Sequence, residues 1–82
     1  MNGGDCHLFI RYTCPFCIRV LRYLDQRNIQ VTIRDISANS DDRDELLANG
    51  GKVQVPCLFY KQTILYESLD IIDWFETHWS DT

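Results

Sequence analysis

An 82-residue chain has room for one domain, and 45% hydrophobic with 12% aromatic content suits a globule with a modest core, not a disordered segment. Twelve acidic against eight basic residues give a net charge of -4, which argues against a nucleic-acid groove or an anionic membrane surface as partner. No apolar run approaches the ~20 residues needed to cross a bilayer. The opening Met1-Asn2-Gly3-Gly4-Asp5 lacks the basic and apolar regions of an export signal, so the four cysteines are expected in a reducing, cytoplasmic setting.

Residues 6–11 (CHLFIR) are a short run of β-formers and read as a buried central strand. From Pro15 the period changes: Phe16, Val20, Leu21, Leu24 and Ile29 recur at helical spacing, with Arg19, Arg22, Gln26 and Arg27 mostly opposite. Proline suits the first helical position, and Asn28 is a helix stop. Residues 29–36 (IQVTIRDI) alternate apolar and polar and predict a second strand. Residues 37–40 are a polar break, after which Asp41, Asp42, Asp44 and Glu45 load the start of a second helix with acid, and Asn49-Gly50-Gly51 ends it. Residues 57–60 and 63–66 predict a hairpin, turning at Lys61-Gln62 without the usual glycine or asparagine. Ser68 is the predicted N-cap of a last helix whose apolar face takes Leu69, Ile72, Trp74 (or Ile71), Phe75 and Trp79. The order is β-α-β-α-β-β-α. A right-handed crossover makes the first two strands parallel.

The junction Arg11-Tyr12-Thr13-Cys14-Pro15-Phe16-Cys17 places two thiols where the first strand gives way to the first helix. C-x-x-C at that point of a βαβ unit is a thioredoxin-like redox signature. Cys14 at the helix N-terminus meets free N–H groups and the positive end of the dipole, which favour the attacking thiolate. Arg11 and Arg19 add positive charge. Cys17, covered by the first turn, is the second thiol that closes a disulfide on Cys14. Zinc competes poorly: a structural site wants four ligands, and Cys6, His7, Cys57 and His78 are scattered. A purely structural Cys14–Cys17 bridge closes a loop too small to gain much.

Two further stretches carry weaker signals. By spacing alone, Gln54-Val55-Pro56 reads as a proline at a strand start. Tyr66-Glu67-Ser68 combines a hydroxyl with the N–H groups of a helix start, a site able to hold a carboxylate.

In their order along the chain, Arg11-x-Thr13-Cys14-Pro15-Phe16-Cys17, Gly50-Gly51-Lys52 and Gln54-Val55-Pro56 resemble the glutaredoxin family of the thioredoxin fold. The resemblance runs from about His7 to the last helix. Glu67-Ser68, and the C-P-F-x-x-R-V pattern of residues 14–20, resemble the N-terminal domains of glutathione transferases, omega-like ones in particular. The implied architecture is α/β: a four-stranded mixed sheet flanked by three helices in a single thioredoxin-like domain over residues 1–82. In that topology the third strand runs antiparallel to the first, so Cys57 lies near the end of the first strand and Cys6 at its far end. Both are then free thiols, Cys57 acting as a small buried hydrophobe.

The resemblance implies glutathione as co-substrate. Pro56 is then cis, with the Val55 backbone beside Cys14 pairing the cysteinyl part. Arg11 and Lys52 meet the glycine carboxylate, Glu67 and Ser68 hold the γ-glutamyl end, and Phe16 flanks the tripeptide. Tyr12 and Gln54 are secondary candidates for its lining. No metal site is implied. Trp74, Phe75 and Trp79 read as packing, and His7 and His78 have no catalytic partner in sight.

The expected function is a dithiol, glutathione-dependent disulfide oxidoreductase, monomeric, acting on protein disulfides and glutathionylated proteins. Two alternatives stay open. One is a transferase-like or dehydroascorbate-reducing domain. The other is a glutaredoxin that holds an iron–sulfur cluster between two subunits, against which Pro15 speaks.

Overall fold

Alternation along the first strand decides how the molecule is layered. In β1 (Cys6–Ile10), Cys6, Leu8 and Ile10 face one side of the sheet and Phe9 the other, and each set founds its own buried cluster. A computed structural model describes residues 5–79; the opening Met1 to Gly4, part of the stretch read as lacking an export signal, lies outside them.

The remaining elements follow in the predicted order: α1 (Pro15–Gln26), β2 (Thr32–Asp35), α2 (Ser40–Gly50), β3 (Cys57–Tyr60), β4 (Thr63–Leu65) and α3 (Ser68–His78). The sheet order is β2-β1-β3-β4, with β1 and β2 parallel and the other pairs antiparallel. This is the four-stranded mixed sheet with three helices that the resemblance implied. On one face α1 supplies Cys17, Val20 and Leu24, and α3 supplies Ile71, Trp74 and Phe75, against Cys6, Leu8, Ile10 and Leu58. On the other face Leu46 of α2 packs with Phe9, Ile36 and Cys57. Arg34 ties α2 to the sheet, with its Nε 2.5 Å from Asp42 and its Nη1 3.0 Å from Glu45.

The boundaries correct several expectations. The second strand is four residues, not eight, because only 32–35 lie opposite β1; Ile29 and Ile36 are buried without belonging to it. Helix α2 starts at Ser40 under an Asn39 cap, whose side chain accepts from the Asp41 N–H at 3.3 Å. Its end is as read: Gly51 adopts a left-handed φ of 84°. Asn28 likewise stops α1 with φ 56°. The Lys61-Gln62 turn takes positive φ at Lys61 only, so it is not the type I′ form, which needs positive φ at both central residues. Ser68 is the first helical residue, not the N-cap; Glu67 holds that position without a side-chain cap bond. Leu69, assigned to the apolar face of the last helix, is 66% exposed, and Ile71 takes the core position.

Cys57 pairs in register with Phe9 and Cys6 with Tyr60, and the two cysteines belong to clusters on opposite faces of the sheet. They cannot bridge, and all four cysteines are free thiols. Trp74, Phe75 and Trp79 form a ladder of edge-on contacts along α3 at 5.2 and 5.7 Å, as packing residues do. Among the described residues no helix is long and apolar enough to cross a membrane, and no group of three or more His, Cys, Asp or Glu residues gathers as a metal site.

Candidate active site

The antiparallel registers bring the end of β1, the start of β3 and the end of β4 to one edge of the sheet. The three segments singled out in the sequence leave or enter there: Arg11 to Cys14, Lys52 to Pro56, and Tyr66 to Ser68.

Cys14 is the N-cap residue of α1, extended at φ -91° and ψ 120°, with Pro15 next and no acidic residue in the first turn. Its N–H donates to the Arg11 carbonyl at 3.1 Å, and its own carbonyl accepts the first helical bond, from Ile18, at 3.0 Å. The half-buried thiol points at the Val55 carbonyl, 3.9 Å away. Burial is the largest single influence on this sulfur and opposes the anion. The Cys17 N–H, the Cys17 thiol, the Phe16 N–H and the Arg11 charge together outweigh it, and the Cys14 pKa falls below its ordinary value. Cys17, fully buried, goes the other way: burial pushes its thiol up to about 12, with the neighbouring Cys14 sulfur adding to the rise. One thiol is set to ionise and the other to keep its proton.

Val55 connects this sulfur to a groove of about 570 Å³, within the range of pockets that hold small organic ligands. Helix α1 lines it with Phe16 and Arg19, the approach to β3 with Gln54, Val55 and Pro56, and the start of α3 with Tyr66, Glu67, Ser68, Leu69 and Asp70. The Val55–Pro56 peptide is cis, as the resemblance implied. Phe16 is 56% exposed, its ring 5.7 Å beneath the Arg19 guanidinium. Ser68 is buried at the groove wall, and the first N–H groups of α3 beside it lack intrahelical partners. An anionic group entering there meets unused donors.

The structure thus gathers Phe16, Gln54, Val55, Pro56, Glu67 and Ser68 on one groove with Cys14 beside it. Arg11, Tyr12 and Lys52 do not line it. Arg11 acts on the Cys14 sulfur through its charge, Tyr12 is 59% exposed, and the Lys52 ammonium rests 4.4 Å from the centre of the Tyr66 ring. Sequence reasoning passed over Arg19 except as a nearby charge, gave Tyr66 no role of its own, put Leu69 in the core and did not consider Asp70. The one available signal was position: Tyr66, Leu69 and Asp70 flank Glu67-Ser68 at the start of a helix.

The family described as glutathione S-transferase, N-terminal domain, matches residues 8–81. Glutaredoxin 1 of Rickettsia conorii is 33% identical over 64 residues, covering 72% of this chain and 63% of that protein. The chain therefore spans under two thirds of this curated relative. Among solved structures, glutathione transferase Omega 3C from Trametes versicolor superposes with a TM-score of 0.77 at 26% identity, over 93% of this chain but 34% of its own. The glutaredoxin from Brucella melitensis gives 0.65 at 20% identity over 95% and 85%, a likeness of fold.

Proposed function

The chain belongs to the glutathione S-transferase N-terminal-domain family, with glutaredoxins of the same thioredoxin-like fold among its relatives, and from that premise we propose that it is a glutathione-dependent thiol–disulfide oxidoreductase of glutaredoxin type. The observation that carries the reading is the Cys14–Cys17 pair beside the groove, one sulfur poised to ionise and the other buried and protonated.

The Cys14 thiolate attacks the glutathione sulfur of a glutathionylated protein. One S–S bond forms as the other breaks, and the protein leaves as a thiolate that takes a proton from water. A second glutathione thiolate attacks the Cys14–glutathione disulfide, releasing oxidised glutathione and the Cys14 thiolate. With a protein disulfide, Cys17 loses its proton and attacks the Cys14 mixed disulfide, releasing the reduced protein and leaving Cys14–Cys17 oxidised. Two glutathiones then reduce that bond. The tripeptide lies with its cysteinyl part along Val55, its γ-glutamyl carboxylate at Ser68 and the α3 N-terminus, and Glu67 near its ammonium. Potentials of this class, roughly -200 to -230 mV, lie near the glutathione pool, so supply sets direction.

Reduction of a glutathionylated peptide, followed as oxidised glutathione, tests this. Wild type turns over, Cys14→Ser does not, and Cys17→Ser retains mixed-disulfide reduction but not protein-disulfide reduction. An inactive wild type, or an active Cys14→Ser, overturns the assignment.

The family match and Glu67-Ser68 favour a second reading, a transferase-like or dehydroascorbate-reducing activity at the same groove. Conjugation of a halogenated aromatic, or dehydroascorbate reduction, without any action on the glutathionylated peptide would select it.

A further inference from the structure

We propose that Tyr66 is a positioning residue for the anionic glycine end of glutathione: it braces the turn at Gly50–Lys52 against the groove wall and holds the Lys52 ammonium on its ring. The proposal rests on the glutathione-dependent reading above and adds a residue to it.

Tyr66 stands between the end of β4 and the start of α3, and its ring forms part of the groove wall. Three contacts fasten that ring to the far side of the α2–β3 turn. The hydroxyl donates to the Lys52 carbonyl at 3.3 Å. It approaches the Gly50 α-carbon so closely that a β-carbon there has no room, with the ring carbon Cζ only 3.2 Å from the place it would take. The Lys52 Nζ lies 4.4 Å from the ring centre. The ring also packs against the buried cluster that contains Cys57. Burial and then the Cys57 sulfur raise the Tyr66 pKa, which keeps the hydroxyl a donor.

Lys52 itself is exposed, and among the described residues it forms no ion pair. A lysine of this kind ordinarily samples many rotamers, so its charge contributes little to binding at any one place. The tyrosine ring restricts it by a cation–π contact. The same turn leads through Val53 and Gln54 into Val55 and Pro56, so the brace also fixes the backbone that faces Cys14. Both effects act on binding of the tripeptide, and neither touches the sulfur that reacts.

The test is a double-mutant cycle on Tyr66 and Lys52, read as the KM for glutathione against kcat with a glutathionylated peptide. Calorimetric titration of glutathione into each variant runs alongside, and circular dichroism confirms folding. Tyr66→Leu and Lys52→Met each raise the glutathione KM about three- to fivefold, the scale of an exposed cation–π contact, while kcat stays within about twofold. The double variant is no worse than the poorer single one, because the two changes remove one coupled interaction. Tyr66→Phe, which keeps the ring and folds if Tyr66→Leu does not, falls between wild type and Lys52→Met. Effects that multiply in the double variant, a fall in kcat with KM unchanged, or a Tyr66→Phe variant worse than Lys52→Met overturn the proposal. If wild type takes up no glutathione in the calorimeter, the functional reading and the proposal both fail. If wild type binds and the variants bind as tightly, only the proposal fails.

Discussion

The Cys14 thiol faces the backbone carbonyl of Val55 at 3.9 Å, so the sulfur that must become an anion has an acceptor, not a donor, across the groove. The compensation comes from its own helix and from Arg11: after the opposing effect of burial, the Cys17 and Phe16 N–H groups, the Cys17 thiol and the Arg11 charge favour the thiolate. Alkylation by iodoacetamide is therefore expected to modify Cys14 alone at pH 7, with its pH midpoint below the ordinary thiol range. Cys6, Cys17 and Cys57, pushed by burial to about 11, 12 and 12, stay unmodified in the native protein. Arg11→Gln moves the Cys14 midpoint upward without abolishing the shift, since the N–H donors remain. Mass spectrometry that found two or more native thiols alkylated at pH 7 would contradict this.

The same three buried thiols predict how stability changes with pH. Their folded pKa values lie above the ordinary ~8.5, so each contributes stability that is fully present below pH ~8.5 and is lost as pH rises towards the folded values. Above pH ~8.5 the unfolded chain releases protons that the folded chain keeps, and the unfolding free energy falls by up to about 1.4 kcal/mol per pH unit for each thiol. Cys14 has the opposite sign: its lowered folded pKa gives stability present above ~8.5 and lost as pH falls through the folded value. Urea unfolding at pH 8, 9 and 10 should show the decline, and Cys57→Ala, though less stable throughout, should show a shallower one. An unchanged slope in that variant would remove Cys57 from the account.

How much of this the sequence could reveal depended on whether the signal was local. The β1–α1 junction was legible because Pro15 and the change from strand to helical period coincide at the two thiols. Gly51 was legible because a helix end in the left-handed region calls for glycine. By helical period alone Phe16 and Leu69 join the apolar faces of their helices; the resemblance placed Phe16 beside the ligand, and only Leu69 was misread. Each sits on or near the apolar stripe of its helix, but in the first turn, past the edge of the sheet, where the stripe meets the groove. Periodicity carries no information on where the opposing sheet stops. Arg19, Tyr66 and Asp70 were out of reach for a related reason: the groove exists only where two helix starts and the approach to β3 meet. The second strand was drawn too long because its length is set by its pairing partner, β1.

Arg34 predicts a stability effect separable from chemistry. Its guanidinium joins Asp42 and Glu45 of α2, donates to His7 Nδ1 at 3.1 Å, and lies 5.1 Å from the centre of the Phe9 ring, on the sheet face away from α1 and α3. Arg34→Met is expected to lower the unfolding free energy by about 1–3 kcal/mol, because a partly buried acidic pair and an imidazole lose their donor. The kinetic constants should stay near wild type, and 0.5 M salt should narrow the stability gap as the partly exposed Glu45 is screened. A loss of activity matching the loss of stability would mean that α2 contributes to the groove through this contact.

The two adjacent glycines separate two physical reasons for the same residue. At Gly51 nothing lies near a would-be β-carbon, but φ is 84°, so Gly51→Ala costs about 1 kcal/mol of backbone strain that no second substitution relieves. At Gly50 the backbone is helical and the obstacle is the Tyr66 hydroxyl with its ring edge. Gly50→Ala should therefore destabilise by about 1–3 kcal/mol through overpacking, and removing the hydroxyl oxygen should recover part of that. Chemical unfolding of Gly50→Ala, Tyr66→Phe and the pair measures the coupling. Tyr66→Phe alone loses the hydrogen bond to the Lys52 carbonyl and is mildly destabilised, yet the pair should be more stable than the sum of the single effects allows. The same pairing with Gly51→Ala should be additive. Additivity at both glycines would place the Tyr66 hydroxyl away from Gly50 and leave α2 ending without that contact.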